Sequence, residues 1–333
     1  MKRTLILALA AAIMLMAFAG CANNAPKTDF GVDSGKEVYK VGVTQFADHP
    51  SLDNCREGFI EGLKEEGFEE GSNLEIDFQS AQGDMNIANQ IAQNFANTGK
   101  DIVCGIATPS AQALYNACYE KKIPVIFNAV SDPVGANLAE SRDKALEGIT
   151  GVSDELPVEE QLKLIREILP EAKKIGILYT TSEANSVSTI ETYKELAGNY
   201  GFEIVEKGIG TQAEIPQATD VLLSEVDCIS NMTDNTVVAS LSVVLEKADA
   251  ANIPVFGSEE EQVANGCIAS AGLDYFNLGI QAGKQAARVL KGEEISSIKY
   301  ETMEESKITI NKAVAEKLGI EIPASVLDKA EEK

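Results

Sequence analysis

Residues 101–108 read Asp-Ile-Val-Cys-Gly-Ile-Ala-Thr, and residues 123–127 read Ile-Pro-Val-Ile-Phe. About 130 residues later, residues 227–233 read Asp-Cys-Ile-Ser-Asn-Met-Thr and residues 253–256 read Ile-Pro-Val-Phe. Each run is a short apolar segment of the kind that forms a buried strand. A single match would be weak, but two matches in the same order and at a similar offset indicate an internal duplication. The sequence therefore predicts two similar lobes.

Strand and helix patterns alternate around both copies. Apolar runs bounded by turn residues predict the strands, and apolar residues at helical spacing predict the helices. In the first copy we expect strands at 38–44, 74–79, 101–107 and 124–130, with helices capped at Ser51, Asp84 and Thr108. In the second copy we expect strands at 174–180, 202–206, 227–232 and 253–257, with helices at 158–168, 186–200, 214–224 and 236–250. Such alternation predicts an α/β fold in which each Rossmann-like lobe has a parallel sheet.

The N-terminal twenty residues have the features of a signal peptide. Lys2 and Arg3 precede an apolar run at 5–19, and small residues follow it. The run is shorter than the roughly 20 residues that a membrane-spanning helix needs. Residues 1–20 are therefore predicted to be a secretion signal.

The end of this signal resembles a bacterial lipobox. Residues 18–21 read Phe-Ala-Gly-Cys, although the motif prefers leucine where Phe18 stands. The resemblance implies that Cys21 is lipidated and anchors the protein to the membrane on its extracytoplasmic face. The polar, glycine- and proline-containing stretch that follows predicts a flexible tether over 21–37.

Composition excludes several classes of function. Removing Lys2 and Arg3 with the signal changes the formal charge from -24 to -26, which disfavours binding of nucleic acid or an anionic membrane surface by the folded part. The chain has one histidine, so a histidine-based metal site or Ser-His triad is improbable, and we expect no metal and no cofactor. Five cysteines follow Cys21, an odd number without a C-x-x-C pair, and they read as buried thiols.

Polar loops follow the predicted strands of both copies. They lie at 44–48, 107–110, 130–134, 180–186, 231–235 and 258–260 and are rich in Thr, Ser, Asn and Asp. In open parallel sheets, ligands bind beyond the carboxyl ends of the strands. Helix capping explains part of this composition, and a cap is compatible with a ligand contact because helix N-termini carry free N–H groups. We therefore expect a ligand cleft between the lobes.

Several of these loops carry a family resemblance. Thr-Pro-Ser-Ala-Gln-Ala-Leu at 108–114, Val-Ser-Asp-Pro-Val-Gly at 130–135 and Ser-Glu-Ala-Asn-Ser at 182–186 resemble the ABC substrate-binding family linked with tryptophan and tyrosine uptake. Ala-Ser-Ala-Gly-Leu-Asp-Tyr at 269–275 extends the match, which runs from about residue 39 to about 292. The resemblance implies a type I periplasmic-binding-protein fold with lobes joined by a hinge.

In that fold the chain crosses between the lobes more than once. The resemblance implies a first lobe of 38–151 plus about 272–303, because the helix near 274–290 returns to it. The second lobe is then 152–271 plus about 304–333.

The same resemblance implies the residues of a solute site. They are Gln45, Thr108, Asp132, Asn185, Ser186, Asp234, Asn235, Glu259 and Asp274. The set suits an amino acid, whose carboxylate can meet a helix N-terminus and whose ammonium group needs a carboxylate partner. Asp234 is the first choice for that partner, with a helix cap as its alternative role. An aromatic solute could contact Phe46 or Tyr275, unless these rings serve only core packing.

The resemblance also implies partners: a small solute, an ABC permease and its ATPase subunit. Two other classes of function remain open at this point. A sensor that presents a bound solute to a signalling receptor would use the same cleft. A secreted enzyme is the weaker alternative, resting on Gly-Ile-Gly-Thr-Gln-Ala at 208–213, which matches a loose dinucleotide fingerprint but reads equally well as a capping box.

Overall fold

Residues 30–303 and 305–332 are described by the computed structural model of the chain. The predicted signal peptide and Cys21 lie outside these residues. The tether prediction, 21–37, is wrong at Phe30, which is buried against the first lobe. The centre of its ring lies 5.7 Å from that of Tyr119, and the ammonium group of Lys122 lies 4.5 Å from the ring centre. An aromatic ring gains too much from burial to remain in a solvated tether.

The first lobe is a six-stranded parallel sheet with helices on both faces. Its strands are β1 (Tyr39–Gln45), β2 (Leu74–Ser80), β3 (Ile102–Ile106), β4 (Val125–Asn128), β7 (Ile149–Ser153) and β13 (Glu301–Thr302), and a small hairpin adds β5 (Ala139–Ser141) and β6 (Lys144–Ala145). Its helices are α1 (Pro50–Glu65), α2 (Met85–Asn97), α3 (Thr108–Cys118) and α10 (Tyr275–Leu290). The strand order is β13-β7-β4-β3-β1-β2.

The second lobe has a seven-stranded sheet. Its strands are β8 (Lys174–Thr180), β9 (Glu203–Ile209), β10 (Cys228–Ser230), β11 (Val255–Glu259), β12 (Ala269–Leu273), β14 (Lys307–Ile310) and β15 (Ala330–Glu332). Its helices are α4 (Val158–Ile168), α5 (Ala184–Ala197), α6 (Ile215–Leu223), α7 (Asn235–Val238), α8 (Leu241–Ala251), α9 (Glu260–Ala264), α11 (Lys312–Leu318) and α12 (Ala324–Leu327). The strand order is β15-β14-β12-β11-β10-β8-β9, with β12 and β14 antiparallel.

The strand orders confirm the duplication. β2-β1-β3-β4-β7 in the first lobe corresponds to β9-β8-β10-β11-β12 in the second. The two stretches quoted at the outset form neighbouring strands in each lobe, with Val103 opposite Val125 and Ile229 opposite Val255. Strands that are buried on both faces must be apolar throughout, which is why these segments carried the strongest sequence signal.

Two helix starts and one helix length differ from the sequence prediction. α1 begins at Pro50 with His49 at the N-cap, so Ser51 lies inside the helix. α3 has Ala107 at its N-cap and Thr108 at the first helical position. The helix expected over 236–250 is divided into α7 and α8. Sequence patterns place helices well but their first residues poorly, because a cap depends on backbone angles.

The described chain passes between the lobes three times, at residues 154–157, at Asp274 and between β13 and β14. These three crossings form the hinge. After the second crossing, α10 packs along α1 of the first lobe. Glycines allow that contact: a Cβ on Gly58 would lie 2.0 Å from the Phe276 carbonyl oxygen, and one on Gly279 would lie 2.3 Å from that of Cys55. The close contact of the two helices holds α1 in place at the edge of the cleft.

Each lobe has its own apolar core. All five described cysteines are buried and unpaired, as the sequence predicted. None of the described helices has the length and apolarity required to cross a bilayer.

Candidate ligand-binding site

A small buried cavity of about 10 Å³ lies between the lobes. We call it the interlobe cavity. The first lobe and the hinge contribute His49, Leu52, Ala107, Thr108, Ala129, Ser131, Asp154 and Tyr275, and the second lobe contributes Asn185, Thr233, Asn235 and Glu259. The contributors follow β1, β3, β4, β7, β8, β10, β11 and β12, so the carboxyl ends of both sheets meet here as the fold predicts.

The turn between β3 and α3 forms one wall of the cavity. Ala107 has a φ of 74° and a ψ of 152°, a left-handed backbone conformation that is costly for a residue with a Cβ. Thr108 follows at the first position of α3, where backbone N–H groups have no partner within the helix. The hydroxyl groups of Thr108 and Ser110 are buried without a hydrogen-bond partner. The wall is therefore rich in hydrogen-bonding groups that the protein itself does not use.

His49 lies on the same side of the cavity. It is the single histidine of the chain, and its Nδ1 atom is buried without a partner. Burial lowers the pKa of His49 to about 4 although the nearby Asp53 opposes the shift, so the ring is neutral at pH 7. Sequence reasoning missed this residue, and its position before the Pro50–Glu65 helix was the available signal.

Two carboxylates line the cavity. Glu259 ends β11, and burial, reinforced by the neighbouring Glu261, raises its pKa to about 8. Asp154 accepts hydrogen bonds from Ser131 Oγ at 3.0 Å and from Tyr275 Oη at 2.6 Å, and burial raises its pKa as well. No lysine or arginine is among the described residues that line the cavity. The cavity thus holds acidic groups without a cation to balance them.

The second-lobe wall is held by Glu183. Its carboxylate accepts hydrogen bonds from Asn235 N at 3.0 Å, Asn235 Nδ2 at 2.6 Å and Thr236 N at 3.1 Å. Asn185 Nδ2 donates to the Thr233 carbonyl oxygen at 3.1 Å, whereas Asn185 Oδ1 is buried without a partner. Glu183 therefore fixes the orientation of Asn235. Separately, Asn185 Oδ1 remains an acceptor without a partner.

Asp234 has a different role from the one first expected. Its carboxylate accepts from Thr180 N at 2.6 Å, Thr180 Oγ1 at 2.8 Å, Ser186 Oγ at 2.7 Å and Val237 N at 2.9 Å. These donors belong to its own lobe, and Asp234 caps α7. A fully partnered carboxylate that does not line the cavity is a poor partner for a ligand ammonium group, so the first choice among the acids is revised to Glu259.

The nine residues expected at the site divide into two groups. Thr108, Asn185, Asn235 and Glu259 line the interlobe cavity. The other five are placed around it. Gln45 is hydrogen-bonded to Ala47, Asp53 and Arg56, and Ser186 is hydrogen-bonded to Asp234. Asp132 accepts a hydrogen bond from Ser188 at the cleft mouth, and Asp274 caps α10 and pairs with Lys307. Neighbours in sequence point to different sides of a loop, which motif spacing does not reveal.

These features define a two-lobed binding protein with its site enclosed between the lobes. The family model described as "ABC transporter substrate binding protein" matches residues 40–333, and the chain belongs to this family. Its members are extracytoplasmic binding proteins rather than enzymes. The glycine-rich stretch that had suggested an enzyme ends β9 and leads into a turn in which Thr211 Oγ1 donates to Glu214 Oε1 at 3.0 Å. Thr211 makes no side-chain hydrogen bond to a backbone N–H group, so the capping box expected there is not formed.

Relatives agree with this assignment. The chain is 40% identical over 314 residues to a "Tyrosine-binding protein" of Clostridioides difficile (strain R20291), covering 93% of this chain and 90% of the relative. An ABC domain solved in complex with L-Trp from Streptococcus pneumonia is 36% identical, covers 89% of this chain and 99% of the other, and gives a TM-score of 0.86.

A ligand-free, open structure of a substrate-binding protein from Clostridium difficile is 38% identical and also covers 89% of this chain and 99% of the other. Its TM-score is 0.67. The present structure thus superimposes better on the L-Trp complex than on the ligand-free, open structure. Hydrogen bonds cross its cleft.

Proposed function

We propose that this protein is the solute-binding lipoprotein of an ABC importer and that it binds an aromatic amino acid, L-tyrosine or L-tryptophan, between the lobes at the interlobe cavity, which has to widen to admit the solute. The observation that carries the proposal is the set of side chains that line that cavity. It combines acidic groups without a cation and polar groups without a partner, and a zwitterionic solute would satisfy both.

The ammonium group of the solute lies against Glu259 and Asp154 in this proposal. Closing an empty cavity over two carboxylates is costly, and burial raises the pKa of both groups for that reason. An ammonium group stabilises their ionised forms. A solute without a positive charge would leave these acids unpaired and would bind weakly.

The carboxylate of the solute lies at the N-terminus of α3. Free backbone N–H groups and the hydroxyl group of Thr108 offer donors there. The positive end of the helix dipole favours an anion at this position. In this proposal, the positive φ angle of Ala107 turns the chain so that the start of α3 faces the cavity.

The side chain of the solute would contact Leu52, Ala129 and the ring of Tyr275. A phenol hydroxyl or an indole N–H at its edge can bond with His49 Nδ1 or Asn185 Oδ1, the remaining unpartnered atoms. The names of the two relatives, one tyrosine-binding and one solved with L-Trp, support an aromatic solute for this chain.

Isothermal titration calorimetry with purified protein tests the proposal. We expect L-tyrosine or L-tryptophan to bind, and the corresponding compounds that lack one charged group to bind at least about thirtyfold more weakly, since burying one unpaired charge costs 2–5 kcal/mol. Tyramine lacks the carboxylate, and 3-(4-hydroxyphenyl)propionate lacks the ammonium group. Absence of binding by both aromatic amino acids would refute the proposal.

The lipid anchor and the importer partners rest on the N-terminal motif and on family membership. Lipidation of Cys21 would hold the protein beside its permease, which with its ATPase subunit would receive the solute. We expect Cys21→Ser to move the protein from the membrane fraction to the soluble fraction without a change in its melting temperature. A variant that stays with the membrane after a salt wash would contradict the anchor.

A further inference from the structure

Two polar contacts join the N-terminal turns of α1 to the second lobe. Asn54 Nδ2 donates to Glu261 Oε1 at 2.5 Å, and Ser51 Oγ donates to the carboxylate of Glu259. Ser51 also lies 3.4 Å from Glu261 Oε2. We call these four residues the latch. Glu259 lines the interlobe cavity, whereas Asn54 and Glu261 do not, so half of the latch lies outside the cavity.

The latch lies at a helix N-terminus that has no side-chain cap. α1 has His49 at its N-cap, and that side chain makes no capping hydrogen bond. The first N–H groups of such a helix lack partners, and the positive end of its dipole favours nearby anions. The opposite lobe supplies two acids there. In the closed structure, acidic residues of one lobe thus meet a helix start of the other.

The two sides of the latch are positioned by separate parts of the fold. α1 is held by its close contact with α10 through Gly58 and Gly279, and Glu261 lies in the first turn of α9, directly after β11. Each side is therefore rigid within its own lobe. Rotation about the hinge changes the distance between them, while rearrangement within a lobe is not required.

We infer that Asn54 and Glu261 are positioning residues of the solute site, which set affinity by holding the lobes closed and do not touch the solute. This inference rests on the proposed function for its affinity readout, but the latch itself is defined by contacts between lobes. A solute enclosed by both lobes binds the closed form, so its apparent dissociation constant rises as the closed fraction falls.

A charge swap tests the inference. Asn54→Asp places a carboxylate opposite that of Glu261 across the cleft. We expect affinity for L-tyrosine or L-tryptophan to fall about tenfold or more, because the hydrogen bond between these residues is lost and like charges meet. Glu261→Gln alone keeps an acceptor for Asn54 and should change affinity about threefold or less. The double variant restores one acid facing one amide and should recover affinity to within about threefold of the wild type.

Glu61→Gln is the matched control. Glu61 lies on the same helix and pairs with Lys64 within its own lobe, so its replacement should leave affinity unchanged. Loss of affinity in the double variant equal to the sum of the two single effects would overturn the inference. Rescue of affinity by the double variant is an outcome that a merely structural role of either residue would not produce.

The distance between the lobes gives a second readout that does not depend on solute identity. Exposed cysteines introduced one in each lobe can carry spin labels, since the five described native thiols are buried. We expect Asn54→Asp to lengthen the interlobe distance in the unliganded protein and Glu261→Gln to shorten it again. An unchanged distance distribution would refute the latch. If neither amino acid binds the wild type, the proposed function fails while this measurement still decides the latch.

Discussion

Two pairs of buried carboxylates lie within the cleft, and they differ in their partners. Glu183 and Asp234 receive backbone and side-chain donors from their own lobe, including Asn235 N and Val237 N. Glu259 and Asp154 line the cavity, and Glu259 is met by Ser51 of the opposite lobe. Buried acids with a full set of donors build the site, and buried acids that still face empty space are available to a ligand.

The two pairs share one electrostatic property. Burial raises the pKa of all four carboxyl groups. A raised pKa alone therefore does not separate a structural acid from a binding acid, and the hydrogen-bond partners must be examined. The following experiments test this distinction.

The largest expected effect is on affinity in Glu259→Gln. The substitution keeps the shape of the side chain and an acceptor for Ser51, but it removes the charge that would pair with a solute ammonium group. We expect affinity for the aromatic amino acid to fall at least about thirtyfold, since breaking a buried charged pair costs 2–5 kcal/mol. Calorimetry measures this loss, and unchanged affinity would move the ammonium group to Asp154.

Asp234→Asn should instead affect folding. One carboxylate oxygen becomes an amide that faces donors such as Thr180 N and Ser186 Oγ. We expect the free energy of unfolding to fall by about 3 kcal/mol, because buried donors are left without acceptors. Urea denaturation measures it, with Asp220→Asn as the control, because Asp220 is exposed and pairs with Lys247 on the surface. Normal stability together with lost affinity would restore Asp234 as a ligand residue.

The pH dependence of stability should distinguish the pairs further. Glu259 has an ordinary pKa of 4.5 and a pKa of about 8 in the folded protein, so between these values the folded protein binds a proton that the unfolded chain does not. The stability contributed by this proton is present at low pH and is lost as pH rises towards 8. The useful window is pH 6.5–8. His49 is neutral there in the folded protein, and in the unfolded chain, where its pKa is 6.5, it is half protonated at pH 6.5 and neutral by pH 8. This contribution is the same in a Glu259→Gln variant and cancels when the two proteins are compared.

In that window we expect the unliganded protein to lose about 2 kcal/mol of stability through Glu259, at 1.36 kcal/mol per pH unit. In the Glu259→Gln variant, stability should decline less steeply with pH. The remaining slope would come from the other buried acids. Denaturation curves at pH 6.5 and 8 measure both slopes. Equal slopes in the two proteins would show that Glu259 is ionised throughout.

The smallest expected effect is in Thr108→Val. Its hydroxyl is buried without a partner in the unliganded protein, so an isosteric apolar side chain should leave stability equal or slightly higher. Affinity should fall by about 1 kcal/mol, or about fivefold, if the hydroxyl donates to the solute carboxylate. Calorimetry and melting curves measure the two quantities, and a loss of stability without a loss of affinity would contradict the assignment.

Much of the fold could be predicted from sequence because its signals are local. The strands around Val103 and Ile229 are buried on both faces and are therefore apolar throughout. Asp84 and Asp274 were each expected at the start of a helix, and both cap one. Phe30 was missed because its polar neighbours suggested a tether, whereas its burial depends on Tyr119, which is distant in sequence.

The candidate site was predicted only in part. Thr108 and Glu259 lie where loops follow strands, and the fold brings those loops together. His49 and Asp154 were missed, because the sequence does not reveal that either side chain faces the space between the lobes. Asp234 was assigned to the solute although its partners Thr180 and Ser186 lie about fifty residues away. Whether a polar side chain has partners depends on such distant residues.

The sequence by itself determined the two-lobed α/β architecture, the family and the polar character of the cleft loops, because periodicity, duplication and motif order are properties of the chain. Only the tertiary structure decided which acids cap helices and which face the cavity. It also decided that Asn54 meets Glu261 across the lobes. The physical reason is that burial and hydrogen-bond satisfaction are set by groups far apart in sequence, and these groups meet only when both lobes have folded and closed.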